Sequence, residues 1–282
     1  MTTSILVSAA ELEALLADGR CLAVDCRFEF SDTGKGRADW LSGHIPGAAY
    51  AHLDDDLSSP ITEHSGRHPL PDAVRFAAYL RSIGWTRGKL LVAYDEGSNA
   101  VASRLWWLMR YFGQPSALLD GGLAAWTASG RPLEAGERSR SPGDDVSLLP
   151  DDSMQVGSDG VMRLLRDSEL LLLDARAGQR FRGEVEPLDT RAGHIPGSIN
   201  RPFGSNLELG GRFKEPAALR EEFQTLLGGR EPHEVVHSCG SGVTACHNLF
   251  AMELAGLPGA RLYPGSWSEW IRNQDRPIET GD

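Results

Sequence analysis

Short apolar runs alternate along the whole chain with longer segments in which apolar residues recur at helical spacing. The runs CLAVDC (21–26), LLVAYD (90–95) and ALLDG (117–121) have strand length, as do LLLLDA (170–175), EVVHS (234–238) and ARLYP (260–264). Between and after them, DAVRFAAYLRSIG (72–84), NAVASRLWWLMRYFG (99–113), AALREEFQTLLGG (217–229) and GVTACHNLFAMELAG (242–256) carry the helical period, several ending on a glycine able to take a left-handed C-cap. Continuous rather than alternating apolar runs belong to strands buried on both faces, so the pattern predicts mostly parallel sheets with helices on each side. Near the N-terminus, Ser8 and Glu11 stand at capping-box spacing ahead of Leu12, Leu15 and Leu16, which predicts a folded helix there.

The landmarks of the first half return in order in the second. LAVDCR is answered by LLLDAR, SGHIPGAAY (42–50) by AGHIPGSIN (192–200), GGLAAW by GSWSEW, and LVAYDEGSNAVASRLWW by EVVHSCGSGVTACHNLF, the last pairing setting Glu96 against Cys239. The offsets stay between 143 and 150 residues, which means duplication of a whole domain and not a solenoid of short repeats. The expected organisation is one α/β domain over 1–138, a linker rich in Gly, Pro, Ser and charge over 139–153, and a second α/β domain over 154–282.

Composition narrows the function classes. A chain of 282 residues with 41% hydrophobic and 24% charged content accommodates two cores, and a formal charge of −11 argues against nucleic acid or an anionic membrane as partner. No apolar run approaches the ~20 residues of a membrane span and no basic leader precedes an apolar patch, so a cytoplasmic protein is expected. The cysteines, Cys21, Cys26, Cys239 and Cys246, form neither a disulfide framework nor a CxxC metal pair, and no metal or cofactor is implied.

Cys239 is the exception among the thiols. It ends a strand where the chain passes into a helix, the place where α/β sheets hold ligands. Gly240 and Gly242 let the backbone curl so that amides, with the helix start near Val243, can favour a thiolate over a thiol. Cys246, seven residues on, reads as core, and Cys21 and Cys26 as packing residues.

The segments CGSGVTA (239–245), the paired GHIPG turns, LDGGLAAW and YPGSWSEW resemble those of the rhodanese-domain sulfurtransferases in their tandem form, and the cysteine loop is most similar to that of the 3-mercaptopyruvate sulfurtransferases. The resemblance implies two rhodanese-like domains, the first catalytically inactive. It also implies a reaction in which Cys239 takes a sulfane sulfur from a small-molecule donor, holds it as a persulfide, and passes it to cyanide or a thiol such as thioredoxin or glutathione. By the same resemblance, Ser241, His68 of RHPLP and Asp54 of HLDDDLSSP form a proton relay, with Asp55 and Asp56 as rivals for the last place. Arg180 of AGQRFRGEVEP receives the donor's carboxylate, with Arg182 its neighbour, while Gly240, Gly242, Val243 and Thr244 shape the loop. The second arginine usual after EP is replaced by Leu188, and Arg191 is the candidate substitute. Because Gly240 and Ser241 are uncharged, 3-mercaptopyruvate is preferred to thiosulfate; thiosulfate:cyanide transfer and a non-catalytic sulfur carrier or redox sensor are the competing readings. A phosphatase is disfavoured, since no arginine closes the loop. His44 and His194, one in each GHIPG copy, read as structural.

Overall fold

A computed structural model describes residues 4–166 and 170–282. The chain forms two compact units: one comprises 1–59, 70–151 and 209–213, the other 60–69, 152–208 and 214–282. A linear split into 1–138 and 154–282 therefore assigns two short segments differently. The excursion 60–69 belongs to the second unit, and 209–213 to the first, where Phe213 N–H donates to Asp120 Oδ1 at 3.0 Å.

In the first unit the strands are β1 (Leu6–Val7), β2 (Cys21–Asp25), β3 (Ala49–Tyr50), β4 (Leu90–Tyr94) and β5 (Ser116–Leu119), and the helices α1 (Ala9–Ala17), α2 (Lys35–Ser42), α3 (Ala73–Ser82), α4 (Ala102–Tyr111) and α5 (Gly122–Ala128). The sheet order is β1-β5-β4-β2-β3, with every pair parallel. Every residue of β2 and β4 is buried, as their unbroken apolar runs require. Leu90, Val92 and Tyr94 join one core with Leu12 of α1 and Leu123 and Trp126 of α5. At α1 the capping box forms as the spacing demands: Ser8 Oγ accepts from Glu11 N–H, and Glu11 Oε2 accepts from Ser8 N–H at 2.7 Å.

The 139–153 segment departs from the solvated linker expected. Gly143 N–H donates to Arg81 O at 2.7 Å, Asp144 N–H to Trp85 O at 3.1 Å, and Val146 and Leu148 are buried. A Cβ on Gly143 would sit 1.9 Å from Trp85 O, so this glycine serves close packing along α3.

The second unit has strands β6 (Leu171–Asp174), β7 (Ile199–Asn200), β8 (Val235–Ser238) and β9 (Arg261–Leu262), in the order β7-β6-β8-β9 and again all parallel. Its helices are α6 (Ser158–Arg166), α7 (Gly178–Phe181), α8 (Pro216–Leu227), α9 (Ala245–Leu254) and α10 (Ser266–Trp270). Helix α8 ends on Gly228 at φ +57°, the left-handed cap its GG ending predicts.

The duplication extends to side-chain detail. Arg27 chelates Asp25 and donates to Gly43 O at 2.7 Å; Arg176 chelates Asp174 and donates to Gly193 O at 2.8 Å. The GHIPG histidines are turn residues in both copies, His44 Nδ1 on Trp40 O at 2.8 Å and His194 Nδ1 on Phe181 O at 2.9 Å. Among the described residues no helix is long and apolar enough to cross a membrane.

Candidate active site

Strand β8 ends at Ser238, and Cys239 opens the loop to α9. The loop is held from behind by α10: Trp267 N–H donates to Cys239 O at 3.0 Å, Ser268 N–H to Gly240 O at 2.9 Å, and Ser266 Oγ accepts from Cys239 N–H at 3.0 Å. With the carbonyls drawn backward, the amide of Gly242 turns toward the sulfur and donates to Cys239 Sγ at 3.1 Å. That orientation requires Gly242 at φ +75°, and a Cβ there would lie 2.3 Å from Pro264 O. Only glycine fits. Cys246 is a fully buried thiol whose Sγ donates to Gly242 O at 3.3 Å, the core role its position suggests.

Ser241 and His68 are brought together. His68 Nδ1 lies 2.7 Å from Ser241 Oγ, with both residues buried. The histidine arrives on the 60–69 excursion, which is pinned to α10: a Cβ on Gly66 would lie 2.6 Å from Gly265 O, and Arg67 N–H donates to Ser268 Oγ at 3.0 Å. Asp54 stands in the first unit, in the turn after β3. Of its rivals, Asp56 is taken up by the turn itself, accepting from His52 N–H at 2.7 Å, and the Asp55 side chain is 79% exposed. Asp54 is half-buried.

The cations are arranged differently from the sequence expectation. The Arg180 guanidinium pairs with Glu186 Oε1 at 2.7 Å and Asp189 Oδ2 at 3.3 Å, while Arg182 turns away to Glu184. Arg191 contributes its carbonyl, which accepts from Trp267 Nε1–H at 2.9 Å. The second guanidinium over the loop is that of Arg67. Its Nη2 lies 3.0 Å from where a Cβ on Gly240 would stand, against 3.6 Å for Arg180 Nη1 and Nη2, and its Nη1 pairs with Asp189 Oδ1. Sequence reasoning passed over Arg67 because only the placement of the excursion brings it to the loop; its one signal was adjacency to His68. Val243 is buried behind the loop and Thr244 half-buried at the helix start.

The first unit offers the internal counterpart. Cys26 N–H bonds Tyr94 O as Ala175 N–H bonds Ser238 O, and Leu123 N–H bonds Asp95 O as Trp267 N–H bonds Cys239 O. Asp95, not Glu96, thus occupies the thiol's place. The ungapped pairing of the two segments was off by one because the first loop takes one more residue to reach its helix, which starts at Ala102, against Ala245 in the second.

This geometry has known relatives. The family model for the rhodanese-like domain matches residues 8–129 and 159–273. The chain is 48% identical over 285 residues, covering all of both chains, to the Pseudomonas aeruginosa protein named probable 3-mercaptopyruvate sulfurtransferase. A Mycobacterium tuberculosis relative carrying a thiosulfate sulfurtransferase name is 38% identical over 98% of this chain and 97% of its own. The solved structure of 3-mercaptopyruvate sulfurtransferase from Leishmania major superimposes with a TM-score of 0.86 at 28% identity, over 98% of this chain and 76% of that one. With its parallel sheets, its cysteine loop and both halves matched, this chain belongs to the rhodanese family and carries two tandem copies of its domain.

Proposed function

We propose that the protein is a 3-mercaptopyruvate sulfurtransferase in which Cys239 is the nucleophile and persulfide carrier. One observation carries the reading: the sulfur that accepts the Gly242 amide stands two residues from a serine hydroxyl already hydrogen-bonded to a buried histidine.

The Cys239 thiolate attacks the sulfur of 3-mercaptopyruvate, the carbon–sulfur bond breaks, and its electron pair passes to the pyruvate enolate. A proton originating on the donor's thiol ends on the enolate carbon, so that pyruvate leaves and the sulfur remains as a Cys239 persulfide anion. The acceptor thiolate then takes the outer sulfur and restores the Cys239 thiolate. In this scheme the Ser241 hydroxyl donates to His68 Nδ1 in the resting state and hands a proton toward the enolate when the donor reacts. Asp54 is assigned the part of fixing the imidazole tautomer, the logic of a triad applied to proton delivery. The Gly242 amide turned toward the sulfur stabilises both thiolate and persulfide. Arg180 receives the donor's carboxylate. The Asp95 loop has no nucleophile, which supports an inactive first unit.

A thiol acceptor such as thioredoxin or glutathione and a cytoplasmic setting complete the proposal, in keeping with four free, buried cysteines. Thiosulfate is the alternative donor, in keeping with the name of the Mycobacterium tuberculosis relative. The leaving group decides between them: an enolate needs a proton and sulfite does not.

The test is steady-state kinetics with both donors. Cys239→Ser is expected to abolish transfer from either donor. Ser241→Ala is expected to lower kcat for 3-mercaptopyruvate about 100-fold or more while leaving thiosulfate within a few-fold. Equal losses on both donors, or a wild type that prefers thiosulfate, would overturn the donor assignment, and activity surviving in Cys239→Ser would overturn the nucleophile.

A further inference from the structure

We propose that Arg67 is the second donor-binding cation of this site and a determinant of its preference for α-keto carboxylates, with Asp189 as the counter-ion it exchanges for the donor's carboxylate. The inference rests on the donor reading above.

Four observations lead to it. First, the residue beside the nucleophile is a glycine whose missing side-chain volume is taken by guanidinium: Arg67 Nη2 and both Arg180 Nη atoms stand within 3.6 Å of the Cβ that Gly240 lacks. Positive groups therefore lie against Gly240, the residue after Cys239, although the loop has no basic residue of its own.

Second, Arg67 is delivered by the element that delivers His68. Its amide is anchored on Ser268 Oγ, and Ser268 N–H in turn holds Gly240 O, so the excursion is locked to the loop it serves. One dipeptide thus supplies a relay imidazole to Ser241 and a guanidinium to Gly240.

Third, the two arginines are tied by a shared carboxylate. Asp189 Oδ1 takes Arg67 and Oδ2 takes Arg180, with the Asp189 side chain only 4% exposed, whereas those of Arg67 and Arg180 are 23% and 19% exposed. Glu186 is committed elsewhere, to Arg180, to Arg176 and to the amides of Leu188 and Asp189. Among the described residues Asp189 is the carboxylate Arg67 must share or exchange when another arrives.

Fourth, the guanidinium groups are neutralised before donor binds, by Glu186 and Asp189. A carboxylate entering here gains forked hydrogen bonds from rigid donors more than bulk attraction. That favours a planar carboxylate joined to a ketone over a compact tetrahedral dianion. The position after EP holds Leu188, 44% exposed, and Arg67 supplies the charge it lacks.

The experiment pairs 3-mercaptopyruvate with 1-mercaptopropan-2-one, the same mercaptoketone with a methyl group in place of the carboxylate. For Arg67→Met the KM for 3-mercaptopyruvate is expected to rise about 10- to 100-fold with kcat little changed, the loss of a charge-assisted contact. The kcat/KM for the neutral analogue should stay within about 2-fold of wild type, and Arg67→Lys should recover part of the lost affinity. Parallel losses on both donors would make Arg67 a structural residue of the excursion, and an unchanged KM would remove it from the donor site; either overturns the proposal. Should Arg67→Met fail to fold, Arg67→Lys decides alone, since a raised KM confined to the carboxylate donor supports the proposal and any other pattern rejects it. Failure of the donor reading shows up separately, as a wild type inactive on 3-mercaptopyruvate but loaded with persulfide by thiosulfate.

Discussion

The loops that follow β4 and β8 start from the same point of their sheets and are filled by different side chains, a carboxyl group in the first and a sulfur in the second. In the first, the Asp95 carboxylate turns back into its own loop and accepts from the amides of Asn99 at 2.7 Å, Val101 at 3.0 Å, Gly97 at 3.2 Å and Ala102 at 3.4 Å. In the second, the sulfur of Cys239 sits at the corresponding place with the Gly242 amide at 3.1 Å. Both use a left-handed residue to aim amides inward, Asn99 at φ +59° and Gly242 at φ +75°. A carboxylate satisfies such a cradle permanently; a thiolate satisfies it and can still accept a sulfur atom. The first loop still faces a cleft of about 630 Å³, lined among others by Arg27, Lys35, Asp95, Glu96 and Ser98. What the first unit lacks is therefore the thiol and not the architecture.

The strictness of the two left-handed positions differs, and this gives the largest effect expected from breaking the comparison. Asn99 tolerates a side chain because its amide nitrogen donates to Leu119 O at 2.8 Å, whereas a Cβ at Gly242 meets the Pro264 carbonyl. Gly242→Ala combines a positive-φ penalty with a backbone clash, and should cost about 3–5 kcal/mol and lower Tm by on the order of 10 °C. Turnover should fall with it, since the amide that faces the sulfur must move. Differential scanning calorimetry with donor kinetics on the same preparation checks this; a variant as stable and as active as wild type would mean that the loop does not depend on this turn.

Asp95→Ala tests the other cradle. Four amides, three of them buried, lose their acceptor, and the expected cost is about 2–4 kcal/mol in urea titrations. The carboxyl is poised between opposing influences: burial pushes its pKa up, and the amides of Val101, Asn99, Gly97 and Ala102 pull it back. kcat per folded molecule should remain near wild type, as the proposed inactivity of the first unit requires. Catalytic loss beyond the unfolded fraction would contradict a purely structural role for this loop.

Most of this was legible in the linear sequence where one principle dominates. Apolar runs announced β2, β4 and β6, because strands buried on both faces cannot alternate, and the β-branched pair of EVVHS announced β8. The repeated GHIPG turns announced the duplication, and a cysteine between a strand and a glycine loop marked the sulfur that accepts the Gly242 amide. The two-residue edge strands β1, β3 and β7 left no pattern, since a period cannot be read from so few residues. The correspondence of Asp95 with Cys239 was hidden by a loop one residue longer, visible only through the carbonyls that α5 and α10 capture. Arg67 was hidden for a tertiary reason: it precedes α3 of the first unit in the chain but packs with the second.

The smallest effect comes from one step earlier on the strands. The residue before Ser238 is His237, and its counterpart before Tyr94 is Ala93, so the second sheet carries a buried imidazole where the first carries a methyl group. His237 is fully buried with Nε2 against Met252 Sδ at 3.0 Å, and burial, with a lesser contribution from the Arg201 charge, pushes its pKa down to about 3. Between about pH 6.5 and 3 the unfolded chain therefore binds a proton that the folded chain refuses. The stability this histidine allows is complete above the unfolded value and is lost as pH falls through that window. The loss reaches about 2 kcal/mol at pH 5. Acidification should accordingly loosen β8 before β4, read as amide hydrogen exchange in the two strands at pH 7.5 and pH 5. His237→Leu should abolish the difference in acid sensitivity while leaving exchange at pH 7.5 nearly unchanged. If β8 and β4 lose protection together in wild type, or if the leucine variant keeps the same acid slope, the sensitivity lies elsewhere and the two sheets are equivalent in this respect.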